Sequence, residues 1–337
     1  MLTMAADVVS LVRRRIPRHR LALVVGATMN TELAEEIARI LGVELIRART
    51  VISRSGEMWV QIPESIRGAD VFIIASLAGP NLHEGMWELE MIIRALRDAS
   101  VEKVIPVLPY FPYARQHSKE NSRTTIGAKL FADAITSAGA TGVVLLDMNR
   151  AQAQGFFNLR ETDHIYGTEA LLPRIKRLHR KHPDLVIVSP DEDGMKRAHL
   201  YARKQLGTET NPVPVALLDM RSEESYDVIG DVRGRTTLIV DDMVDEATKA
   251  ETTSNILIMH EATEVYMAAT HGVLSGNAID RISRSPIKQL MLTNSVPIDA
   301  HACKKIVVVS VGPLLADVIL RMYEGLEISS RIREFDK

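Results

Sequence analysis

The sequence predicts an α/β protein built from two mainly parallel sheets flanked by helices, and three observations predict it. Short runs of Val, Ile and Leu recur along the chain and are largely unalternated, as strands covered on both faces are. Segments of helical period lie between them, the alternation that places helices on both sides of a parallel sheet. The series runs twice over 337 residues, room for two domains at about 150 residues each.

Taken in order, the first set of strands is expected at 21–25, 71–74, 104–108 and 143–146, with helices at 32–41, 84–97 and 126–138. The second set has strands at 185–188, 213–218, 237–240, 265–269 and 289–292, with helices at 169–180, 194–205 and 248–260. A strand at 306–309 and a helix at 314–323 follow. Residues 158–168 are polar and are the expected junction. The expected domains are an N-terminal helical arm (1–20), a first α/β domain (21–163), a second (164–305), and a C-terminal strand and helix (306–337) packing back on the first.

Composition excludes several classes. Hydrophobic residues at 46% and charged residues at 25% rule out a largely disordered chain. Lys and Arg total 41 against 43 Asp and Glu, so no global basic field recruits nucleic acid or an anionic membrane. No apolar run reaches the roughly 18–20 residues of a spanning helix. In 1–20 the apolar stretch precedes the arginines, the reverse of a secretory signal. Cys303 is the single cysteine, which excludes an intrachain disulfide and a thiolate cluster, and a cytoplasmic location is expected.

Three strand ends carry chemistry. After 238–240 come Asp241, Asp242 and Asp245; ligands of open α/β sheets bind outside the carboxyl ends of strands, where carboxylates hold ribose hydroxyls or Mg²⁺. The same letters fit a solvated acidic turn capping the next helix. After 186–188, Asp191 stands where a metal or substrate ligand would, or where an acid-rich helix start would. After 104–108 runs Pro109-Tyr110-Phe111-Pro112-Tyr113-Ala114-Arg115-Gln116-His117, in a chain only 4% aromatic. Arg115 suits stacking on a purine or clamping phosphate and Gln116 reading a base edge; an aromatic plug at a subunit interface fits equally.

The stretches 26–34, 56–62, 109–116, 126–130, 147–157, 189–191, 240–245, 269–277 and 311–316, in this order and spacing, resemble the ribose-phosphate diphosphokinase (phosphoribosyl pyrophosphate synthetase) family. The resemblance implies two type I phosphoribosyltransferase-like domains and a dimer-based homo-oligomer, usually a hexamer. It implies transfer of diphosphate from Mg²⁺-bound ATP to the C1 hydroxyl of ribose 5-phosphate. It assigns Arg115, Gln116 and Glu57 to ATP, and Asp241, Asp242, Asp245, Thr248 and Lys249 to the ribosyl phosphate. Asp147, Asp191 and Asn149 are assigned to the metal, and Arg221 to catalysis.

Departures fall on the same motifs. The family's phosphate loop, Asp-Thr-Gly/Ala-Gly-Thr, reads Asp245-Glu246-Ala247-Thr248-Lys249: Glu246 adds an anion, and the lost glycine removes easy access to φ > 0, while Lys249 offers partial compensation. The flap motif Asp-Lys-Arg-Arg reads Asp219-Met220-Arg221-Ser222, without both catalytic cations. Asn149 replaces a metal-binding histidine, and the adenine turn Ser53-Arg54-Ser55-Gly56-Glu57 lacks its aromatic. Two functions are therefore expected as alternatives: diphosphate transfer with an altered acceptor or reduced rate, and a silent subunit or nucleotide sensor assembling with an active synthetase. A nucleobase phosphoribosyltransferase fits less well, because its phosphate loop is degraded here.

Overall fold

A computed structural model describes residues 21–119, 121–207, 211–222, 225–299 and 301–328, with side chains for all of these except 204, 205, 220–222 and 225. The arm expected at 1–20 lies outside the described residues. The described chain separates into two compact units, 21–166 together with 310–328, and 167–309.

The first unit is a six-stranded parallel sheet and its helices. In chain order its elements are β1 (Leu21–Val25), α1 (Thr31–Leu41), β2 (Leu45–Arg47), β3 (Arg49–Ile52), β4 (Met58–Gln61) and β5 (Asp70–Ile74). There follow α2 (Leu82–Asp98), β6 (Lys103–Leu108), α3 (Gly127–Ala138), β7 (Gly142–Leu146) and β8 (Glu161–Ile165). The sheet order is β2-β1-β5-β6-β7-β8, and β3 and β4 form a separate antiparallel hairpin. The five residues of β1 are all buried, which explains its unbroken apolar run. α1 starts where the Asn30 side chain accepts the Leu33 N–H at 3.2 Å, and it stops at Gly42, whose φ of 67° suits a residue without Cβ.

The second unit holds α4 (Thr168–Lys181), β9 (Val186–Ser189), α5 (Met195–Leu200), β10 (Val215–Ser222), β11 (Ser225–Ile229) and β12 (Thr236–Val244). It continues with α6 (Thr248–Met259), β13 (Glu264–Gly272), α7 (Ala278–Arg284), β14 (Ile287–Thr293) and β15 (Ile306–Val309). Its seven strands run β11-β10-β9-β12-β13-β14-β15, all parallel except the β10–β11 pair. Apolar clusters fill this unit: one gathers Val186, Val188, Ile239, Leu257 and Leu290, the other Ile175, Ile187, Leu238, Val240 and Tyr201. The alternation along β9 and β12 between the two clusters is that of a sheet covered on both faces.

Several expectations need correction. The polar stretch 158–168 contains the break between the units, at 166/167, but also β8, a strand not expected from the sequence: it is an edge strand whose first three residues are only half buried, so it has no apolar run. The hairpin β3–β4, with exposed Val51, Ile52 and Trp59, carries no core signature either. The helix expected at 194–205 is α5 followed by a π-helical turn at Tyr201–Leu206. The C-terminal stretch divides: β15 pairs with β14 in the second unit, whereas α8 (Gly312–Glu324) belongs to the first and packs on α1. Ser310 Oγ donates to Glu36 Oε2 at 2.6 Å on that face. Among the described residues, no helix is long and apolar enough to cross a membrane.

One buried carboxylate organises the carboxyl edge of the first sheet. Glu88, on α2, is completely buried. It accepts from the N–H groups of Ala27 (2.8 Å) and Thr28 (3.0 Å) and from the hydroxyls of Thr28 and Thr50. It thereby ties the loop after β1 and the β3–β4 hairpin to one helix. Gly26 permits this approach, because a Cβ there would lie 2.6 Å from the Glu88 carboxyl. Removing the acceptor leaves the partly buried donors of Thr28 and Thr50 facing a fully buried site without their partner, at a cost of about 1–3 kcal/mol for each donor that stays shielded from water. Glu88→Ala is expected to lower unfolding stability by at least about 3 kcal/mol in chemical denaturation, and Glu88→Gln by about 1–3 kcal/mol.

Candidate functional site

The carboxyl ends of β9 and β12 are neighbours because the two strands pair in parallel, Ile187 beside Leu238 and Val188 beside Ile239. Asp241 and Asp242 are inside β12 rather than beyond it, and both are buried. Their backbone supports them: the Asp242 N–H donates to Asp241 Oδ1 at 3.0 Å, and the Met243 N–H to Asp242 Oδ1 at 2.9 Å. Asp191 stands in the turn after β9, where its Oδ1 accepts the Gly194 N–H at 2.9 Å.

Lys249, in the first turn of α6, closes this group. Its Nζ lies 2.7 Å from Asp191 Oδ2 and 3.2 Å from Asp241 Oδ2. Burial works against the ammonium, but Asp241 and Asp191 outweigh it and raise the Lys249 pKa above its usual value. Asp241 is raised from 3.8 to about 7, by burial first and the neighbouring Asp242 charge second, with Lys249 pulling the other way.

In the segment 245–249, Ala247 takes φ 61° at the residue before α6, at a motif position that admits glycine or alanine, and the glycine missing from the motif falls on Thr248, the first residue of α6. Arg281, on α7, holds the turn: its guanidinium donates to the Glu246 carbonyl at 2.8 Å and to Thr248 Oγ1 at 2.7 Å. It also faces the carboxylates of Glu246 (3.6 Å) and Glu251 (3.9 Å). The anion added by Glu246 is thus partly offset from within the unit. Asp245 Oδ1 accepts from Ser275 Oγ at 2.5 Å.

The first unit places its candidates on loops leaving one edge of its sheet. Arg115 and Gln116 follow β6 and are exposed; Asp147 and Asn149 follow the adjacent β7. The Gln116 N–H donates to the Tyr113 carbonyl at 2.8 Å, and Tyr113 has φ 59°. Asp147 is fully buried at φ 46°, and its N–H donates to the Ile165 carbonyl at 2.7 Å. Glu57 is exposed beside the β3–β4 turn, where Ser55 Oγ donates to its Oε2 at 3.1 Å. Arg221 is on β10, with its side chain outside the described residues.

The structure therefore gathers Asp191, Asp241 and Lys249, with Asp242 beside them, and sets Asp245 and Thr248 in the adjoining turn. Three supporting residues escaped sequence reasoning. Arg281 sits on a helix with no strong apolar period, 33 residues from Thr248. Glu88 reads as an ordinary surface acid within α2. His164, whose Nε2 accepts the Met148 N–H at 2.9 Å, lies in the stretch read as a junction.

Mg²⁺ usually takes one or two carboxylates and completes its shell with water and substrate phosphates. The second unit does not fit a resident divalent ion as it stands. Both oxygens of Asp191 are engaged, and its charge and that of Asp241 are answered by Lys249. Among the described residues, no group of three or more His, Cys, Asp and Glu forms a metal-holding cluster.

Comparison with known proteins follows this geometry. Residues 22–139 match the N-terminal domain of ribose phosphate pyrophosphokinase, and 189–333 match the phosphoribosyl synthetase-associated domain. The chain is 40% identical over 306 residues to the ribose-phosphate pyrophosphokinase of Caldanaerobacter subterraneus subsp. tengcongensis, covering 89% of this chain and 94% of that protein. Against the Bacillus subtilis ribose-phosphate pyrophosphokinase it is 39% identical, covering 89% and 93%. The crystal structure of phosphoribosylpyrophosphate synthetase from Mycobacterium smegmatis superposes with a TM-score of 0.84 at 34% identity, covering 91% of this chain and 99% of that one.

The raised Asp241 pKa has a definite sign. The fold favours the protonated acid, so this contribution to stability is complete below about 3.8 and is lost as pH rises through about 7. In chelator, the unfolding midpoint of Asp241→Asn relative to the native chain is expected to rise by roughly a few degrees between about pH 5 and about pH 8. A pH-independent difference would contradict the assignment.

Proposed function

We propose, from the premise that this chain belongs to the ribose-phosphate pyrophosphokinase family, that it transfers the diphosphate of ATP to the C1 hydroxyl of a ribosyl phosphate. In this reaction the C1 oxygen attacks the β-phosphorus, the bond between the α- and β-phosphoryl groups breaks, AMP leaves and the hydroxyl proton is released. Mg²⁺ enters as part of the Mg²⁺-bound ATP substrate. Assembly as a dimer-based homo-oligomer and a cytoplasmic location belong to the same reading.

The observation that carries it is the strand-end arrangement of the second unit: buried Asp241 and Asp242 at the end of β12, then a left-handed turn at Ala247 that opens α6. Carboxylates accept sugar hydroxyls, and the N–H groups of a helix start face an anion. The family-like roles of Asp241, Asp242, Asp245 and Thr248 follow: the acids orient the ribosyl hydroxyls, and the α6 start with Thr248 meets the phosphate. Arg115, Gln116 and Glu57 would contact the nucleotide, and Asp147 and Asn149 offer oxygen donors to its bound cation.

The acceptor preference departs from that of relatives on this reading. Glu246 is largely exposed beside the phosphate position, Lys249 is turned onto Asp191 and Asp241, and the flap lacks both catalytic cations and keeps only the Arg221 that lies between them. A second reading, a silent subunit that assembles with an active synthetase, draws on the same pairing of Lys249 with the floor.

Release of AMP from Mg²⁺-bound ATP separates the two, measured with ribose 5-phosphate and with ribosyl acceptors bearing larger 5′ groups. AMP is expected with at least one acceptor, and with ribose 5-phosphate at a turnover on the order of 10² or more below that of the Bacillus subtilis relative. No AMP with any acceptor, together with co-purification of an active synthetase, would favour the silent subunit. Arg281→Ala, which frees the turn at 246–248, is expected to raise the acceptor KM about tenfold and to change kcat by less than about threefold.

A further inference from the structure

Lys249 is the residue whose position the family reading does not anticipate. A cation at the start of α6 would be expected to face the incoming phosphate, in the place where the family carries a neutral threonine. Instead its ammonium bridges carboxylates from two strand ends, Asp191 Oδ2 at 2.7 Å and Asp241 Oδ2 at 3.2 Å. The Asp241 side chain is only 8% exposed. Asp242 and Asp191 both add negative charge at Asp241, and Lys249 is the group that offsets it. In a floor of this kind a divalent ion and an ammonium compete for the same oxygens, because each lowers the same repulsion.

We propose that Lys249 is the tethered cation of the ribosyl floor, taking the electrostatic place of a divalent ion between Asp191 and Asp241, so that the second unit holds its carboxylates together without Mg²⁺. The inference rests on the ribosyl-floor reading above and deepens it: Lys249 sets the cation dependence of acceptor binding. The only divalent ion the reaction then requires is the one that arrives with ATP. The lysine costs the helix start a phosphate-facing charge and gives the floor a counter-ion that cannot diffuse away.

The experiment titrates Mg²⁺ alone into the full chain by calorimetry and follows thermal unfolding with Mg²⁺ or chelator. It compares the native chain with Lys249→Thr, Lys249→Arg and Asp191→Asn. An opposite charge at this range is worth one to three pKa units, so Lys249→Thr should bind Mg²⁺ about tenfold or more tightly than the native chain. Its unfolding midpoint should fall in chelator and recover with Mg²⁺. Lys249→Arg should behave as the native chain does, and Asp191→Asn should leave the native response to Mg²⁺ unchanged. The proposal is overturned if Lys249→Thr folds and gains no Mg²⁺ response. It is equally overturned if the native chain shows Mg²⁺ binding that Asp191→Asn abolishes, a result that stands even where the threonine variant fails to fold. No nucleotide or sugar enters these titrations, so their failure and the failure of AMP release are separate results.

Discussion

The second unit depends on one constraint: carboxylates buried at the end of a parallel strand need partners. Taking an ionised carboxylate out of water is expensive unless hydrogen bonds and opposite charge answer it. Asp241 and Asp242 are adjacent on β12, so each worsens the other's burial. Backbone N–H groups from the next residues satisfy part of the demand, and Lys249 supplies charge. The position of α6, the turn at Ala247 and the turn after β9 all serve to bring that ammonium to that floor. The raised Asp241 pKa is the remainder left unanswered.

The two units solve the same problem differently. In the first, Glu88 is buried more completely than Asp241, yet it is met by N–H and O–H donors from the loop after β1 and from β3. Neutral donors make the acid a structural tie that fixes the loops around it. In the second unit the acid is met by the charged end of a lysine side chain that stays half exposed.

The main frame of the fold was legible because central parallel strands are covered on both faces and must be continuously apolar. β1, β5, β6, β7 and β9 satisfy that rule, and their limits fall within a residue or two of expectation. β8 and the β3–β4 hairpin violate it, being an edge strand and an exposed ribbon, and both were invisible. The candidate site was legible where chemistry is local, as with Asp241, Asp242 and Asp245 within one strand end. Its supports were not, since Arg281 and Glu88 act across 33 and 61 residues and carry no local signature. The motif comparison placed the lost glycine at Thr248, and the structure puts the left-handed turn one residue earlier, at Ala247, where the conformation costs a residue with Cβ roughly 1–2 kcal/mol and is offset by the flanking helix and Arg281.

The charge pattern also bears on what changed from the family. Substituting threonine by Lys249 and adding Glu246 at the same loop leaves its net charge unaltered, but the two charges do different things. Lys249 is drawn inward to Asp191 and Asp241, and Glu246 remains exposed beside Arg281. The floor gains a cation while the rim gains an anion. A ligand that fits such a site presents hydroxyls to the floor and less negative charge to the rim than a bare phosphate monoester does. On the proposed reading this gradient bears on acceptor choice, while the fold is that of the family.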